Sequence, residues 1–230
     1  MKKLVVLTGA GMSAESGLAT FRDAGGLWEG HRVEDVATPE AWQRNPELVL
    51  EFYNQRRKQA LEVKPNRGHE ILAELQQKVE VTIITQNVDN LHERAGSKNV
   101  IHLHGSLFES RSTVIPKLIY PIAGWQLNLG DICERGSQLR PNIVWFGEIV
   151  PMIEVAANIS ADANLFLVVG TSLAVYPAAS LIDYVPDQIK KYVVDPKRPP
   201  VLHVPNLEFI EMGASKGMER IKEILITNFE

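Results

Sequence analysis

The chain has 230 residues, 45% of them hydrophobic and 23% charged, and a formal net charge of −4. This composition is ordinary for a soluble globular protein, and the negative charge gives no general attraction to nucleic acid or an anionic membrane. No apolar run approaches the length of a membrane span, so we expect neither nucleic acid nor a membrane as a partner.

Apolar, β-rich segments alternate with helical patterns along most of the chain. The predicted strands are residues 4–7, 79–84, 100–104, 143–146, 165–169, 191–194 and 201–204, and the predicted helices are residues 47–61, 69–77, 151–159 and 215–226. This alternation predicts an α/β fold with a doubly wound, Rossmann-like parallel sheet. Ligands of such a sheet lie beyond the carboxyl ends of its strands.

Two stretches interrupt the alternation. Residues 22–65 contain a loop and helices without a strand between them, and residues 107–138 lack a clear period and contain Pro116, Pro121, Gly124 and Gly130. We expect these stretches to pack together as a smaller inserted lobe. The larger domain is then formed by residues 1–21, 66–106 and 139–230, with the substrates in the groove between the two.

The turn after the first predicted strand carries Gly9-x-Gly11-x-x-Ala14, which fits the pattern of dinucleotide-binding turns. Glycines there let the backbone approach a phosphate at the start of a helix. A tight turn that binds nothing has the same pattern. However, the segment from Phe21 to Trp28 is a glycine-rich loop with an aromatic residue and an arginine, which a plain Rossmann unit lacks.

Histidines end the third predicted strand. His104 precedes Gly105, and its imidazole can act as a general base near neutral pH, although a structural role is the common alternative. His102 points to the same side of the strand. A His-x-His pair can bind a metal, but no further ligand stands at a supporting spacing, so we expect His102 to have a packing or supporting role.

Several blocks of sequence occur together in an order typical of one family, and the chain resembles the sirtuins, the NAD-dependent protein lysine deacylases. The blocks are Gly-Ala-Gly-Met-Ser-Ala-Glu-Ser-Gly at 9–17, Thr-Phe-Arg at 20–22, Gly-Leu-Trp at 26–28, Thr-Gln-Asn-Val-Asp-Asn-Leu-His at 85–92, His-Leu-His-Gly-Ser-Leu at 102–107, Leu-Arg-Pro at 139–141 with Val-Trp-Phe-Gly-Glu at 144–148, Val-Gly-Thr-Ser-Leu at 169–173 and Gly-Ala-Ser-Lys-Gly-Met at 213–218.

The resemblance implies an NAD site and assigns its residues. The catalytic residues would be His104, which takes a proton from a ribose hydroxyl, with Asn87 and Asp89, which hold the nicotinamide end. The full set of expected NAD-binding residues is Gly9, Ala10, Gly11, Ser13, Phe21, Arg22, Gln86, Asn87, Asp89, Gly170, Thr171, Ser172, Asp195 and Ala214. A carboxylate at Asp195 would repel a 2′-phosphate, so we expect NAD rather than NADP.

The resemblance also implies the reaction. The acyl oxygen of a modified lysine, in a protein or peptide, attacks the ribose carbon that carries nicotinamide, and the products are free lysine, nicotinamide and O-acyl-ADP-ribose. Phe21 would cover that carbon and exclude water, and Arg22 would contact the cofactor's oxygens. Val144, Trp145 and Phe146 would line the acyl-lysine tunnel, and the peptide would bind as an added strand.

The chain departs from many sirtuins at the structural zinc, which those proteins hold with two Cys-x-x-Cys pairs. Here Ser112 and Ile115 stand at the first pair, and Cys133 and Gly136 at the second. One thiol does not make a tetrahedral site, so we predict no bound zinc or other metal. We expect a small apolar core in its place, formed by Ile115, Leu118, Ile119, Tyr120, Ile122, Trp125 and Leu127.

A second departure concerns specificity. Tyr53 and Arg56 are three residues apart in the predicted helix 47–61 and share a face. They can simply be part of a solvated surface helix. They also resemble the Tyr-x-x-Arg of sirtuins that remove succinyl and malonyl groups, since a guanidinium binds a carboxylate with two parallel hydrogen bonds.

Three other functions remain open. A mono-ADP-ribosyltransferase would use the same NAD site but leave modified protein as its product. A catalytically idle module would bind NAD or ADP-ribose without turnover, and a metal-dependent hydrolase would remove acyl groups without NAD. The single cysteine rules out an intramolecular disulfide, and Met1-Lys2-Lys3 leads directly into the first strand without room for a signal peptide, so we expect a cytoplasmic protein.

Overall fold

The computed structural model describes residues 2–19, 27–28, 30–199 and 204–229, so the predicted cofactor residues Phe21 and Arg22 lie outside the described part. The strands are β1 (Lys3–Thr8), β2 (Leu27–Trp28), β3 (His31–Arg32), β4 (Glu80–Thr85), β5 (Val100–His102), β6 (Gly105–Ser112), β7 (Ile119–Pro121), β8 (Leu139–Ile143), β9 (Leu165–Val169), β10 (Lys191–Val194) and β11 (Leu207–Ile210). The helices are α1 (Ala10–Ala14), α2 (Val33–Val36), α3 (Pro39–Arg44), α4 (Pro46–Glu62), α5 (Arg67–Leu75), α6 (Leu91–Arg94), α7 (Ile153–Ala161) and α8 (Ala214–Phe229), with a 3-10 helix at Ala178–Tyr184.

The larger sheet is parallel throughout its described strands, in the order β11-β10-β9-β1-β4-β5. Alternate residues of β1 enter two separate cores: Leu4 and Val6 pack with α5 and α8, whereas Val5 and Leu7 pack with α7 and the 3-10 helix. Burial on both faces explains why the strand is apolar along most of its length. The predicted α/β fold with a doubly wound sheet is confirmed.

The register of the sheet places the ends of three strands side by side. Thr8 at the end of β1 pairs with Thr85 of β4 on one side and with Val169 of β9 on the other. Because these strands are parallel, the segments that begin at Gly9, Gln86 and Gly170 leave the same edge of the sheet. This edge carries most of the predicted site.

A small antiparallel sheet in the order β7-β6-β8 lies outside the parallel sheet. Helix α4 begins after Asn45, whose side chain caps the Leu48 amide at 3.1 Å, and is bonded to this part of the chain. The Asn54 amide exchanges two hydrogen bonds with the backbone of Leu127, and the buried Arg57 donates to the Leu107 and Trp125 carbonyls. These bonds fix α4 against two segments of the stretch 107–138.

Two strand predictions need correction. The predicted strand 143–146 is wrong in position, because β8 (Leu139–Ile143) ends where it was expected to begin and pairs antiparallel with β6. Strand β5 (Val100–His102) stops two residues early, since the chain turns at His104 to start β6. Of the predicted strand 201–204, residues 201–203 lie outside the described part of the chain.

The predicted apolar core of the inserted lobe is also wrong. Ile115 and Ile119 are 37% and 48% exposed, and Leu127 is the only buried member of the expected set. These residues flank or form the short edge strand β7, which pairs with β6 alone among the described strands and whose Ile119 and Pro121 are exposed. The core near this sheet is instead formed by α2, α3, α4, β6 and β8, with Tyr53 and Trp145 at its centre.

No helix in the described part of the chain is both long enough and apolar enough to cross a membrane.

Candidate active site

Two turns of the site are in direct backbone contact. The Gly11 amide donates to the Gly170 carbonyl at 2.8 Å, and the Gly9 amide donates to the Val169 carbonyl at 3.1 Å. A Cβ on Gly11 would lie 2.7 Å from the Gly170 Cα, and one on Gly9 would lie 2.6 Å from the Thr171 Cβ. The glycines of the first motif are therefore needed for the packing of these turns on each other, and α1 that follows is only five residues long.

Asn87, Asp89 and Ser13 form a buried hydrogen-bond network beneath these turns. The Asn87 Nδ2 donates to the Gly9 carbonyl at 3.0 Å and to the Ser13 Oγ at 3.1 Å. The Ser13 hydroxyl donates to the Asp89 Oδ2 at 2.9 Å, and the Leu91 amide donates to the Asp89 Oδ1 at 3.0 Å. Burial raises the pKa of Asp89, and the two hydrogen bonds that it accepts oppose this shift.

The other predicted NAD-binding residues of the described part lie along the same edge. The Gln86 Nε2 donates to the Thr171 Oγ1 at 3.1 Å, which joins the ends of β4 and β9 across β1. Asp195 follows β10, where its carboxylate accepts from the Lys197 amide at 2.8 Å. Ala10 begins α1, Ser172 follows Thr171, and the buried Ala214 begins α8.

His104 occupies the turn between β5 and β6 with one nitrogen bound. Its Nδ1 lies 3.0 Å from the Gln86 carbonyl, which can only accept, so Nδ1 carries the proton. The Nε2 then presents its lone pair and makes no hydrogen bond within the described residues. Burial lowers the pKa of His104, and the bond to Gln86 only partly offsets this shift. A neutral imidazole with a fixed tautomer is the form that a general base requires.

A chain of hydrogen bonds below the site was not predicted from the sequence. The Thr8 hydroxyl donates to the Thr85 Oγ1 at 2.8 Å, which also accepts from the Asn87 amide at 3.0 Å. Because Thr8 gives its proton to Thr85, its oxygen accepts from the His92 Nε2 at 3.0 Å. In the sequence each strand ends in a threonine, Thr8 before Gly9 and Thr85 before Gln86, but the role of this pair depends on the two strands being neighbours.

The predicted specificity residues are buried rather than solvated. Tyr53 is fully buried and its hydroxyl accepts from the Trp145 Nε1 at 3.1 Å. Arg56 is 8% exposed, one turn further along α4. It borders a cavity of about 260 Å³, whose lining comprises His31, Leu48, Glu51, Phe52, Gln55, Arg56 and Gln59. Of the predicted substrate-binding residues, Tyr53 and Trp145 are in contact. Val144 is partly buried, and Phe146 is 45% exposed.

A charged network supports the segment that carries Trp145. Arg140 donates to both oxygens of Glu148, at 2.7 and 2.9 Å, and Arg111 donates to the same carboxylate. The Trp145 amide donates to the Glu148 Oε2 at 2.8 Å, and the Arg140 guanidinium lies 3.3 Å from the centre of the Trp145 ring. Sequence reasoning placed Arg140 and Glu148 in a family block but gave them no role.

The residues at the zinc positions do not fit the metal. The Cys133 thiol lies 3.6 Å from the Ser112 Oγ, and that oxygen accepts from the Val114 and Ile115 amides. The two segments therefore meet, but they offer one thiol and one hydroxyl where four strong ligands are needed. Among the residues that the structure describes, no three His, Cys, Asp or Glu side chains are grouped to hold a metal.

The residues at the strand ends do fit a dinucleotide with a nicotinamide. Both hydrogens of the Asn87 Nδ2 are used by Gly9 and Ser13, which leaves the Asn87 Oδ1 as the acceptor that this side chain can offer to a ligand. A carboxamide needs such an acceptor for its N–H groups. The His104 Nε2 lies at the same edge as a second acceptor.

Comparisons with known proteins identify the family of the chain. Residues 9–177 match the family model described as Sir2 family. A protein of Bacteroides thetaiotaomicron named NAD-dependent protein deacylase is 55% identical, and the match covers 98% of this chain and 99% of that protein. A Helicobacter pylori protein of the same name is 52% identical, with 98% of each chain covered.

Solved structures share the whole fold. One described as a Sir2 homolog–NAD complex superposes with a TM-score of 0.90 at 38% identity, and the match covers 100% of this chain and 91% of that one. A Sir2 protein with a deacetylated peptide and 3′-O-acetyl ADP-ribose gives a TM-score of 0.81 at 32% identity, with 96% and 92% of the two chains covered.

Proposed function

The chain belongs to the Sir2 family and is an NAD-dependent protein deacylase, and we propose that it removes succinyl and malonyl as well as acetyl groups from protein lysines. The proposed products are free lysine, nicotinamide and O-acyl-ADP-ribose. The Sir2 neighbour that contains a deacetylated peptide with 3′-O-acetyl ADP-ribose supports this product. When bound, NAD would supply both the ribose carbon that the acyl oxygen attacks and the ribose hydroxyl that receives the acyl group, and one water is consumed as free lysine is released.

The residues at the sheet edge have separate roles in the proposed reaction. Asn87 orients the nicotinamide through its Oδ1, with Ser13 and Asp89 holding the side chain in place. Gln86, fixed by Thr171, binds the adjacent ribose. His104 accepts a ribose hydroxyl proton at Nε2, since Nδ1 is committed to the Gln86 carbonyl. We also propose that Asp195 favours NAD over NADP and that no zinc is bound.

The preference for acidic acyl groups rests on one observation: Arg56 is buried on the same face of α4 as Tyr53. A solvated surface helix would expose both side chains. An arginine remains charged when buried, so a carboxylate that enters beside it gains a strong, bidentate hydrogen bond. Trp145 fixes the Tyr53 ring by donating to its oxygen, and the phenol O–H can then donate to the same carboxylate.

The substitution Arg56→Met tests this specificity. We expect kcat/KM for a succinyl-lysine peptide to fall by about tenfold or more, because the carboxylate loses its charged partner, and kcat/KM for the acetyl-lysine peptide to stay within about twofold. Mass spectrometry of matched acetyl-, succinyl- and malonyl-lysine peptides, with and without NAD, gives these rates.

Lys58→Met is the matched control, because it removes an exposed cation from the same helix. It should change neither rate. Equal losses on both peptides in the Arg56 variant would contradict the acidic-acyl proposal. ADP-ribosylated protein in place of O-acyl-ADP-ribose would instead support the transferase alternative, and deacylation without NAD would support a hydrolase.

A further inference from the structure

His102 joins two acceptors at the base of the nicotinamide site. Its Nδ1 lies 3.0 Å from the Asn87 carbonyl oxygen, and its Nε2 lies 2.7 Å from a carboxylate oxygen of Glu93. A carbonyl and a carboxylate can only accept. Both ring nitrogens must therefore carry a proton for both bonds to form, so this geometry fits an imidazolium.

The neighbouring histidine in the same motif has the opposite arrangement. His104 binds the Gln86 carbonyl through Nδ1 but has no acceptor at Nε2 within the described residues. The two histidines thus bind two consecutive backbone carbonyls, Gln86 and Asn87, through Nδ1. They differ in whether a carboxylate lies beside Nε2. Only His102 has such a carboxylate.

The charged groups that face His102 favour its cationic form. Burial lowers the pKa of His102, but the hydrogen bond and the charge of Glu93 on α6 raise it above its ordinary value, and Asp89 adds to this effect. His92, also on α6, carries no opposing charge, because burial lowers its pKa well below the usual range. Burial raises the pKa of Glu93, but the hydrogen bond and the charge of His102, together with a backbone hydrogen bond and the charge of His69, lower it below its ordinary value.

The backbone of Asn87 is held by side chains on both sides. Its amide donates to the Thr85 Oγ1 at 3.0 Å, and its carbonyl accepts from His102. The Asn87 side chain can point its Oδ1 at a ligand only while this backbone is fixed. Thr85, at the end of β4, thus holds the Asn87 amide, and the His102–Glu93 pair holds the Asn87 carbonyl.

We infer that His102, held as an imidazolium by Glu93, is a positioning residue that fixes the Asn87 carbonyl and thereby sets the affinity of the site for nicotinamide. This inference rests on the proposed role of Asn87 as the nicotinamide ligand. His102 itself does not contact the reacting atoms.

Two substitutions at His102 separate positioning from packing. The amide nitrogen of asparagine reaches about as far as the histidine Nδ1, and that of glutamine about as far as Nε2. His102→Asn keeps a donor for the Asn87 carbonyl, whereas His102→Gln keeps only a donor for Glu93. We expect the glutamine variant to bind nicotinamide about fivefold more weakly, as the loss of one hydrogen bond implies, and the asparagine variant to stay within about twofold of the parent.

Ligand-observed NMR of nicotinamide added to protein saturated with ADP-ribose measures this affinity without turnover. The affinity for ADP-ribose alone should be equal in parent and both variants. In the parent, nicotinamide binding should weaken as pH rises and His102 loses one of its two donated protons, while the asparagine variant should show no such change.

Equal nicotinamide affinity in the two variants, or a matching loss of ADP-ribose affinity, would overturn the inference. A parent protein that binds nicotinamide but does not deacylate with NAD would instead overturn the proposed function and leave the positioning role intact.

Discussion

At the scale of single residues, the hydrogen-bond acceptors beside His102 and His104 decide whether each imidazole is cationic or neutral. His104 keeps a lone pair at Nε2 because only a backbone carbonyl binds it, and burial lowers its pKa. The sequence predicted His104 as the base from its place in a family block. It predicted only a packing or supporting role for His102, because the partner Glu93 lies on α6 and its contact with β5 depends on the fold.

The lowered pKa of His104 predicts the pH dependence of the reaction. A general base must be neutral, and its neutral form persists to lower pH when its pKa is depressed. We expect kcat/KM for an acyl-lysine peptide to stay level as pH falls to the ordinary histidine value of about 6.5 and to drop only below it. A pH profile of kcat/KM measures this directly. An acidic limb centred above pH 7 would contradict the assignment.

At the scale of elements, a buried lysine connects the segments that precede the last two strands of the parallel sheet. Lys191 on β10 is 1% exposed, and its ammonium donates to the Pro186, Ile189 and Pro205 carbonyls at 2.9 to 3.2 Å. These carbonyls belong to the segments that lead into β10 and β11. A lysine at the start of a predicted strand indicates a solvated strand end, so no local pattern predicts this anchorage.

Replacing Lys191 tests that anchorage. Lys191→Met preserves the length of the side chain but leaves several carbonyls without their donor, so we expect the free energy of unfolding to fall by about 2–3 kcal/mol. Urea denaturation followed by circular dichroism provides the value. Lys190→Met is the control, because Lys190 pairs with Glu208 at the surface and its loss should cost no more than about 1 kcal/mol. Similar losses in both variants would show that the buried carbonyl contacts contribute little.

At the scale of the whole molecule, the order of local patterns along the chain sufficed to predict the parallel fold and the edge that carries the site, although it missed β11 (Leu207–Ile210). It did not suffice for the inserted lobe. Strand β8 contains Pro141 and pairs with β6 across the intervening residues 113–138, which no local period indicates. Ile115 and Ile119 resembled core residues by composition, but burial depends on what packs over them, and the hydrogen bonds of α4 reach Leu107, Trp125 and Leu127 instead.

The most direct test of the account is the coupling of NAD consumption to deacylation in the parent and in His104→Ala. Parallel assays of nicotinamide release and of succinyl-lysine loss on one peptide measure both quantities. The account predicts that the parent consumes one NAD for each acyl group removed and that the variant loses deacylation by at least about a hundredfold, the usual contribution of a general base. A variant that removes acyl groups and consumes NAD together at the parental rate would contradict it.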